Sequence, residues 1–127
     1  MKKINTVLLA TFHFINLILI IFYLYPGSIA GCVFYKDCTV QPQIIGDFLV
    51  SSNHFYAFIF LSLLGLLAYH NTKKINFLIK YLFVISIILE FFHIMIPSRK
   101  FEFSDLFGNI LGVLLVIVIY RFKKKYV

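Results

Sequence analysis

The sequence predicts an all-α membrane protein in which four transmembrane helices run up and down in a bundle. Hydrophobic residues make up 61% of the 127 residues and charged residues only 13%, which is far from the composition of soluble domains. Four apolar runs are each long enough, or nearly so, to cross a hydrocarbon core of about 30 Å as a helix. A chain of this length has room for one domain, so residues 1–127 are expected to form a single transmembrane unit.

Clusters of positive charge at the ends of the apolar runs predict the orientation in the membrane. Eight basic residues flank the ends that share one side: Lys2, Lys3, Lys73, Lys74, Arg121, Lys123, Lys124 and Lys125. Three basic residues fall on the opposite side: Lys36, Arg99 and Lys100. The positive-inside rule therefore places both termini of this multi-pass protein in the cytoplasm. Because the charges are clustered in this way, the net charge of +7 does not indicate a nucleic-acid partner.

The first helix is expected over residues 7–25. Its basic start resembles a signal peptide, but its apolar part is longer than the roughly 7–15 residues of such a segment. A membrane span therefore fits better. His13 and Asn16 share one face of this helix. They are expected to hydrogen-bond to neighbouring helices, with a role in transport or proton relay as the alternative.

Residues 26–53 form the one long loop, which the charge pattern places outside. It contains both cysteines, Cys32 and Cys38, whose close spacing permits a disulfide in an oxidising compartment. Two unpaired thiols are the alternative. The segment that ends at Cys32 also fits a bacterial lipobox, in which case Cys32 would be a lipidated N-terminus after cleavage.

The remaining helices are expected over residues 54–70, 75–96 and 105–122. His54 begins the second helix, where a histidine is most often a capping or interfacial residue. In the third helix, polar residues at helical spacing form one stripe on an otherwise apolar surface: Ser86, Glu90, His93 and Pro97. Pro97 is expected to end the helix, because proline disfavours helical conformation at the residue before it.

In the fourth helix, Ser104 is expected to be the N-cap. Asp105 follows in the first turn, where its negative charge complements the helix dipole. Asp105, Asn109 and Gly112 share one face of the helix. This stripe is expected to face the polar stripe of the third helix across a tight antiparallel hairpin.

Six residues are therefore expected to meet at one depth near the outer surface: His54, Glu90, His93, Arg99, Asp105 and Asn109. Ionisable groups at a membrane boundary are costly to desolvate unless they are paired or hydrated, so they mark a functional site by default. The alternative is a hydrogen-bond network that only holds the helices together, with Arg99 paired to Glu90 or Asp105.

The order and spacing of seven residues provide a further indication: Glu90, His93, Pro97, Arg99, Asp105, Asn109 and Gly112. A second group begins the second helix: His54, Phe55, Ala57 and Phe58. Together they resemble the motifs of the VanZ-like family of small bacterial membrane proteins. The chain departs from that pattern at His93, where relatives usually have Gln, and at Val50 and Ser51, where they often have Asp-Lys.

The resemblance implies a location in the bacterial cytoplasmic membrane and a link to the cell envelope. The family takes its name from a protein associated with low-level resistance to teicoplanin, and its biochemical activity is unsettled. The resemblance thus implies a four-helix layout and a conserved polar cluster more than a defined reaction.

The cluster itself favours binding of an anionic group. Arg99 can donate a fork of hydrogen bonds to phosphate or carboxylate, and the helix that begins near Asp105 offers free amides. In a membrane the natural ligand is a lipid head group or a lipid-linked envelope glycan, contacted by Arg99, Asn109 and His54. Without such a ligand, the chain is expected to be an assembly or transport subunit that needs a second copy or another membrane protein.

Enzymatic and metal-dependent alternatives use overlapping residues. As an enzyme, the protein would use Glu90 or His93 as general base, and Asp105 would orient a histidine. No serine or cysteine is placed as an evident nucleophile. The potential metal ligands are His54, Glu90, His93 and Asp105. Neither a metal nor another cofactor is expected, because the usual Gln at position 93 argues against an obligatory metal and no Gly-rich phosphate loop occurs.

Overall fold

The computed structural model describes residues 5–43, 45–46 and 50–127. Within these ranges it contains only helices: α1 (Thr6–Leu24), α2 (Ile29–Phe34), α3 (Ser52–Tyr69), α4 (Ile75–Phe92) and α5 (Phe103–Tyr126). All except α2 are long and apolar enough to cross a membrane. The predicted all-α class with four candidate spans is therefore confirmed. The short α2, which lies in the loop after α1, was not predicted.

The third span is shorter than predicted, because α4 ends at Phe92 and not at residue 96. After Phe92 the backbone turns more tightly: the N–H groups of His93, Ile94 and Met95 each bond to the carbonyl three residues earlier. Pro97 is consequently outside the helix and exposed. The prediction that Pro97 lies on the polar stripe of this helix is wrong.

The fourth span is longer than predicted at both ends. It begins at Phe103, with Glu102 as the N-cap residue, so the expected N-cap Ser104 lies inside the helix. Asp105 is in the first turn as predicted. The last turn of α5 contains Lys123, Lys124 and Lys125, which is favourable because cations interact well with the negative end of a helix dipole.

The closest helix pair is α3 and α5, which pack through glycines. A Cβ atom on Gly112 would lie 2.6 Å from the carbonyl oxygen of Phe55, and one on Gly108 would lie 2.8 Å from that of Ser51. Small residues allow such close backbone approach between membrane helices. The prediction that the face of α5 with Asp105, Asn109 and Gly112 packs against α4 is therefore wrong for Gly112, which contacts α3, although Asn109 of the same face bonds to Ser86 of α4.

Buried apolar side chains fill the space between the four long helices, led by Phe12, Phe58, Leu61, Leu82 and Val113. Polar contacts join the helices away from the predicted site. His13 Nε2 lies 3.1 Å from the Tyr69 hydroxyl, and Asn16 donates to the Tyr81 hydroxyl over 2.5 Å. The predicted hydrogen bonds of His13 and Asn16 to other helices are therefore confirmed.

Residues 28–40, which follow α1, fold back on themselves around α2. Cys32 and Cys38 form a disulfide, so the Cys32 sulfur is not available for the lipid of the lipobox alternative. The Ser28 side chain caps α2 through the N–H of Gly31, and the Ser28 N–H bonds to the Cys38 carbonyl over 2.7 Å. Thr39 donates to the exposed Asp37 carboxylate, which lowers the pKa of Asp37.

Candidate functional site

The predicted site residues lie together where four helix ends meet. His54 comes from the first turn of α3, Glu90 from the last turn of α4 and Asn109 from the second turn of α5. The end of α1 completes the site with Tyr23. Glu90, His93 and Asn109 are at most 1% exposed, and the His54 side chain is 12% exposed.

Asn109 occupies the centre of this cluster. Its Nδ2 donates to the Ser86 carbonyl oxygen over 3.0 Å, which fixes the orientation of the amide. The amide oxygen Oδ1 then lies 2.8 Å from the Tyr23 hydroxyl and 3.0 Å from His54 Nδ1. Since Oδ1 can only accept hydrogen bonds, the single hydroxyl proton of Tyr23 is donated to it. His54 Nδ1 lies 3.0 Å from both Oδ1 and the Tyr23 hydroxyl oxygen, so it donates to these acceptors. The proton of a neutral His54 ring is therefore on Nδ1.

This tautomer directs an unprotonated nitrogen of His54 at a carboxylate. His54 Nε2 lies 3.6 Å from Asp105 Oδ2. Both are acceptors when the ring is neutral and the carboxyl is ionised. Asp105 also has a hydrogen bond with the side chain of Ser51. The His54–Asp105 contact therefore favours a bound positive charge, either a proton or a cation, between the two atoms.

The Glu90–His93 pair has a different arrangement. His93 Nε2 lies 2.9 Å from the Tyr23 carbonyl oxygen, so this nitrogen donates. His93 Nδ1 lies 3.2 Å from Glu90 Oε1, within hydrogen-bond distance. The Glu102 N–H also donates to Oε1 over 3.1 Å. These hydrogen bonds lower the cost of burying the two side chains.

The two carboxylate oxygens of Glu90 differ in the number of their hydrogen-bond partners. Glu90 Oε1 has the two partners just described. Glu90 Oε2 is buried and has no hydrogen-bond partner among the residues that the structure describes. Its distance to His54 Nδ1 is 4.0 Å, too long for a hydrogen bond. A buried carboxylate oxygen without a partner is energetically costly, so a proton, a water molecule or a cation beside Oε2 would stabilise it.

Tyr23 is a member of the site that the sequence analysis missed. Its hydroxyl binds Asn109 and its carbonyl binds His93. Its ring stacks on His93 at an interplanar angle of 17° and meets His54 edge-on, with centroids 4.8 Å apart. A signal for it was present, because Tyr23 continues the helical stripe that contains His13 and Asn16 at a spacing of seven residues from Asn16.

Arg99 contacts α1 and not the carboxylates. Its Nε donates to the Tyr25 carbonyl over 3.1 Å and its Nη2 to the Phe22 carbonyl over 2.9 Å. The pairing of Arg99 with Glu90 or Asp105, which belonged to the alternative of a purely structural network, is therefore not formed. Partial burial lowers the pKa of Arg99, although Tyr23, Asp105 and Glu90 oppose that shift. The guanidinium satisfies the free carbonyls at the end of α1, where a cation is favourable.

Two cavities adjoin the cluster. The first, called the apolar groove here, has a volume of about 310 Å³ and lies between α1 and α3. Its apolar walls come from Ile15, Ile18, Leu19, Phe22, Ala57 and Phe60. The second, called the polar cavity, has a volume of about 550 Å³. Its charged or titratable lining residues are His93, Arg99, Lys100, Glu102 and Asp105.

The two cavities share part of their lining. Gln41, Asn53 and Arg99 border both. Asn53 is held by a hydrogen bond of 2.7 Å from its Nδ2 to the Pro42 carbonyl. These shared residues place an apolar surface and a polar, charged surface side by side at the end of the helices.

Three of the four residues expected as potential metal ligands remain available for that role. One donor atom each from His54, Glu90 and Asp105 lies within 4.8 Å of the other two. His93 is not available, because both of its ring nitrogens are engaged with Tyr23 and Glu90. Both cysteines are in the disulfide, so neither is a free nucleophile.

Comparison of the chain with protein-family models, with curated proteins and with solved structures finds no match. The chemistry of the site therefore has to be inferred from its own residues and cavities.

Proposed function

We propose that this membrane protein binds the head group of an anionic lipid or of a lipid-linked glycan at the polar cluster. The observation that supports this function best is the junction of the apolar groove with the polar cavity at Gln41, Asn53 and Arg99. A lipid combines an apolar chain with a polar head, so it needs two such surfaces next to each other. A water-soluble ligand would need only the polar one.

The apolar groove suits a hydrocarbon chain. It lies between two helices that are each apolar enough to cross a membrane. The small side chain of Ala57 lines the groove together with Phe22 and Phe60. A chain that enters from the surrounding lipid would therefore reach the end of the groove next to His54 and Arg99.

The polar cavity suits a phosphate with attached hydroxyl groups. Lys100 is exposed at its edge, and Arg99 retains Nη1, which has no hydrogen bond to the residues that the structure describes. Both cations can bind phosphate oxygens. Amide and hydroxyl side chains of Thr39, Gln41 and Asn53 line the same cavity and can bind the hydroxyls of a sugar.

The family of the chain and its orientation in the membrane are also part of our proposal. We place the chain among the VanZ-like proteins of the bacterial cytoplasmic membrane, as an up-and-down bundle with both termini in the cytoplasm. The motif residues Glu90, Arg99, Asp105 and Asn109 support the family, and the clustered Lys and Arg residues support the orientation. With that orientation, the polar cluster is at the outer face of the membrane.

Native mass spectrometry of the gently detergent-extracted protein tests the binding. Wild type is expected to retain a phospholipid or lipid-linked glycan. Ala57→Phe adds a ring to the lining of the apolar groove and replaces no residue of the polar cluster, so it should release that ligand. Val118→Phe makes a comparable addition on an exposed face of α5 and should retain it. Equal lipid retention in all three proteins would contradict the proposal.

A structural role is the second candidate, because one observation favours it specifically. Most polar atoms of the cluster bond to one another across four helices, and Arg99 binds backbone carbonyls of α1. Arg99→Ala separates the two roles when compared with Lys100→Ala. A pure packing role predicts loss of the protein only with Arg99→Ala. Ligand binding predicts that Lys100→Ala leaves protein abundance normal and weakens lipid retention.

A further inference from the structure

We propose that His54, Glu90 and Asp105 form a site for one divalent transition-metal cation, with Zn²⁺ as the best-suited ion. The site uses three residues from three different helices, α3, α4 and α5. It goes beyond lipid binding and does not depend on it. Three features support the site: the distances between the donor atoms, one unsatisfied buried oxygen, and hydrogen bonds that hold the ligands.

The three donors are close enough to share a cation. Their ligand atoms lie within 4.8 Å of one another, and the His54 Nε2 to Asp105 Oδ2 distance is 3.6 Å. Bonds of about 2.0–2.2 Å to zinc place two ligand atoms roughly 3.4 Å apart in a tetrahedral site. The His54–Asp105 distance of 3.6 Å is close to that length, and the other two distances, which are at most 4.8 Å, would need to shorten by no more than about 1.4 Å.

The tautomer of His54 prepares it for a metal. Asn109 Oδ1 accepts from Nδ1–H, which leaves Nε2 with a free electron pair directed at Asp105. A metal-binding histidine characteristically donates its other ring N–H to an oxygen acceptor. Asn109 supplies that acceptor, and its bond to the Ser86 carbonyl keeps the amide in place.

Glu90 provides the second, independent observation. Its side chain is 0% exposed, yet Oε2 has no hydrogen-bond partner among the described residues. The opposite oxygen, Oε1, is held by the Glu102 N–H and by His93. A carboxylate that binds a metal with one oxygen is usually hydrogen-bonded through the other. Oε2 is therefore the atom that a cation at this site would satisfy.

The charges around the site are compatible with a divalent cation. Glu90 and Asp105 supply two carboxylates, and the nearby cation Arg99 is bonded to carbonyls of α1 and not to them. His93 remains outside the ligand set, with its ring between Glu90 and Tyr23. Asp105 lines the polar cavity, so the cavity gives the ion a route to the site. Three protein ligands and an open position are typical of catalytic zinc sites.

Zinc titration tests the proposal. The full-length protein in detergent is stripped with a chelator, titrated with Zn²⁺ by isothermal calorimetry and assayed for bound zinc. Wild type should bind one equivalent. Glu90→Gln and Asp105→Asn should each weaken binding at least about 100-fold, beyond the 10–100-fold typical of changes to supporting residues. Glu102→Gln removes a carboxylate from the same polar cavity and should bind as wild type does.

Three results would overturn the site: no zinc in wild type, undiminished affinity in Glu90→Gln and Asp105→Asn, or an equal loss in Glu102→Gln. If the ligand variants fail to fold, cobalt replaces zinc in the wild type. Intense visible absorption of four-coordinate cobalt would support the site, and the weak bands of hydrated cobalt would overturn it. Lipid retention is measured on the same samples, so that a failure of the metal site can be distinguished from a failure of the lipid-binding proposal.

Discussion

Asn109 forms hydrogen bonds with residues of all three other long helices. It belongs to α5, donates to Ser86 of α4 and accepts from Tyr23 of α1 and His54 of α3. Because it is fully buried, water cannot replace these partners. The amide also determines which nitrogen of His54 carries the proton, so one side chain sets both the packing and the chemistry of the cluster.

Replacement of Asn109 by alanine is predicted to lower the free energy of unfolding by about 2–3 kcal/mol. The change removes the donor to the Ser86 carbonyl and leaves the Tyr23 hydroxyl and His54 Nδ1, which lie 3.0 Å apart, with only each other. Each unsatisfied buried group costs about 1–3 kcal/mol before relaxation. Denaturant titration in mixed micelles, followed by circular dichroism, measures the loss. Asn16→Ala, which removes a single bond to Tyr81, should cost about 1 kcal/mol. An equal or larger loss in the control would contradict this account.

At the residue scale, the sequence predicted which polar side chains meet but not how they pair. Helical spacing placed Glu90 and Asn109 on polar stripes, and both are in the cluster. The alternative in which Arg99 pairs with a carboxylate is not formed, because the free carbonyls at the end of α1, for which the sequence gives no signal, bind the guanidinium. Tyr23 was missed because tyrosine is common at membrane interfaces, so its presence near a helix end is not distinctive.

The contact between α3 and α5 depends on the absence of side chains at two glycines. Gly112 faces the carbonyl oxygen of Phe55, and Gly108 faces that of Ser51. This contact brings the first turns of the two helices together and thereby places His54 beside Asp105. The packing of one helix pair thus places two of the three ligands of the proposed metal site, His54 and Asp105.

Gly112→Ala is therefore predicted to destabilise the protein by about 1–3 kcal/mol, the range typical of overpacking. The new Cβ would lie 2.6 Å from backbone, which cannot move aside as a flexible side chain can. The same unfolding titration measures the effect. Gly46→Ala is the matched control, because a Cβ there meets nothing within 4 Å among the described residues. Similar stability of the two variants would show that the helices separate at little cost.

At the element scale, the four spans were predictable and their ends were not. Apolar length identified α1, α3, α4 and α5. The end of α4 was expected at Pro97 from a local rule. In the structure it occurs at Phe92, and the next residue, His93, contacts the Tyr23 carbonyl of another helix. The local sequence gives no signal for a contact between helices, so it could not predict this earlier end of α4.

The sequence also could not predict how each helix is rotated about its axis. Asp105, Asn109 and Gly112 share a face of α5, but spacing cannot say which neighbour that face meets. In the structure the face spans the boundary between two neighbours, with Asn109 reaching α4 and Gly112 contacting α3.

For the whole molecule, the distribution of charge predicts the orientation. Lys73 and Lys74 follow α3, and α5 ends among Lys123, Lys124 and Lys125. Lys2 and Lys3, which also entered the prediction, lie outside the described residues. The positive-inside rule favours the cytoplasm for these segments.

Reporter fusions after Lys74 and after Val127 test this orientation. A cytoplasmic reporter such as a fluorescent protein should be active at both positions, and a reporter that requires export should be inactive. A fusion within the loop around Cys38 should show the reverse pattern and serves as the control. Activity of the exported reporter after Lys74 or Val127 would place the polar cluster on the cytoplasmic side instead.

The central claim is that a lipid occupies the apolar groove with its head at the polar cluster. Photo-crosslinking in membranes tests it most directly, with an anionic phospholipid that carries a diazirine in its acyl chain. The account predicts that mass spectrometry finds labelled peptides concentrated on the groove walls around Ile18, Phe22 and Phe60, and that Ala57→Phe abolishes this concentration. Uniform labelling of all exposed apolar faces that does not change in Ala57→Phe would contradict it.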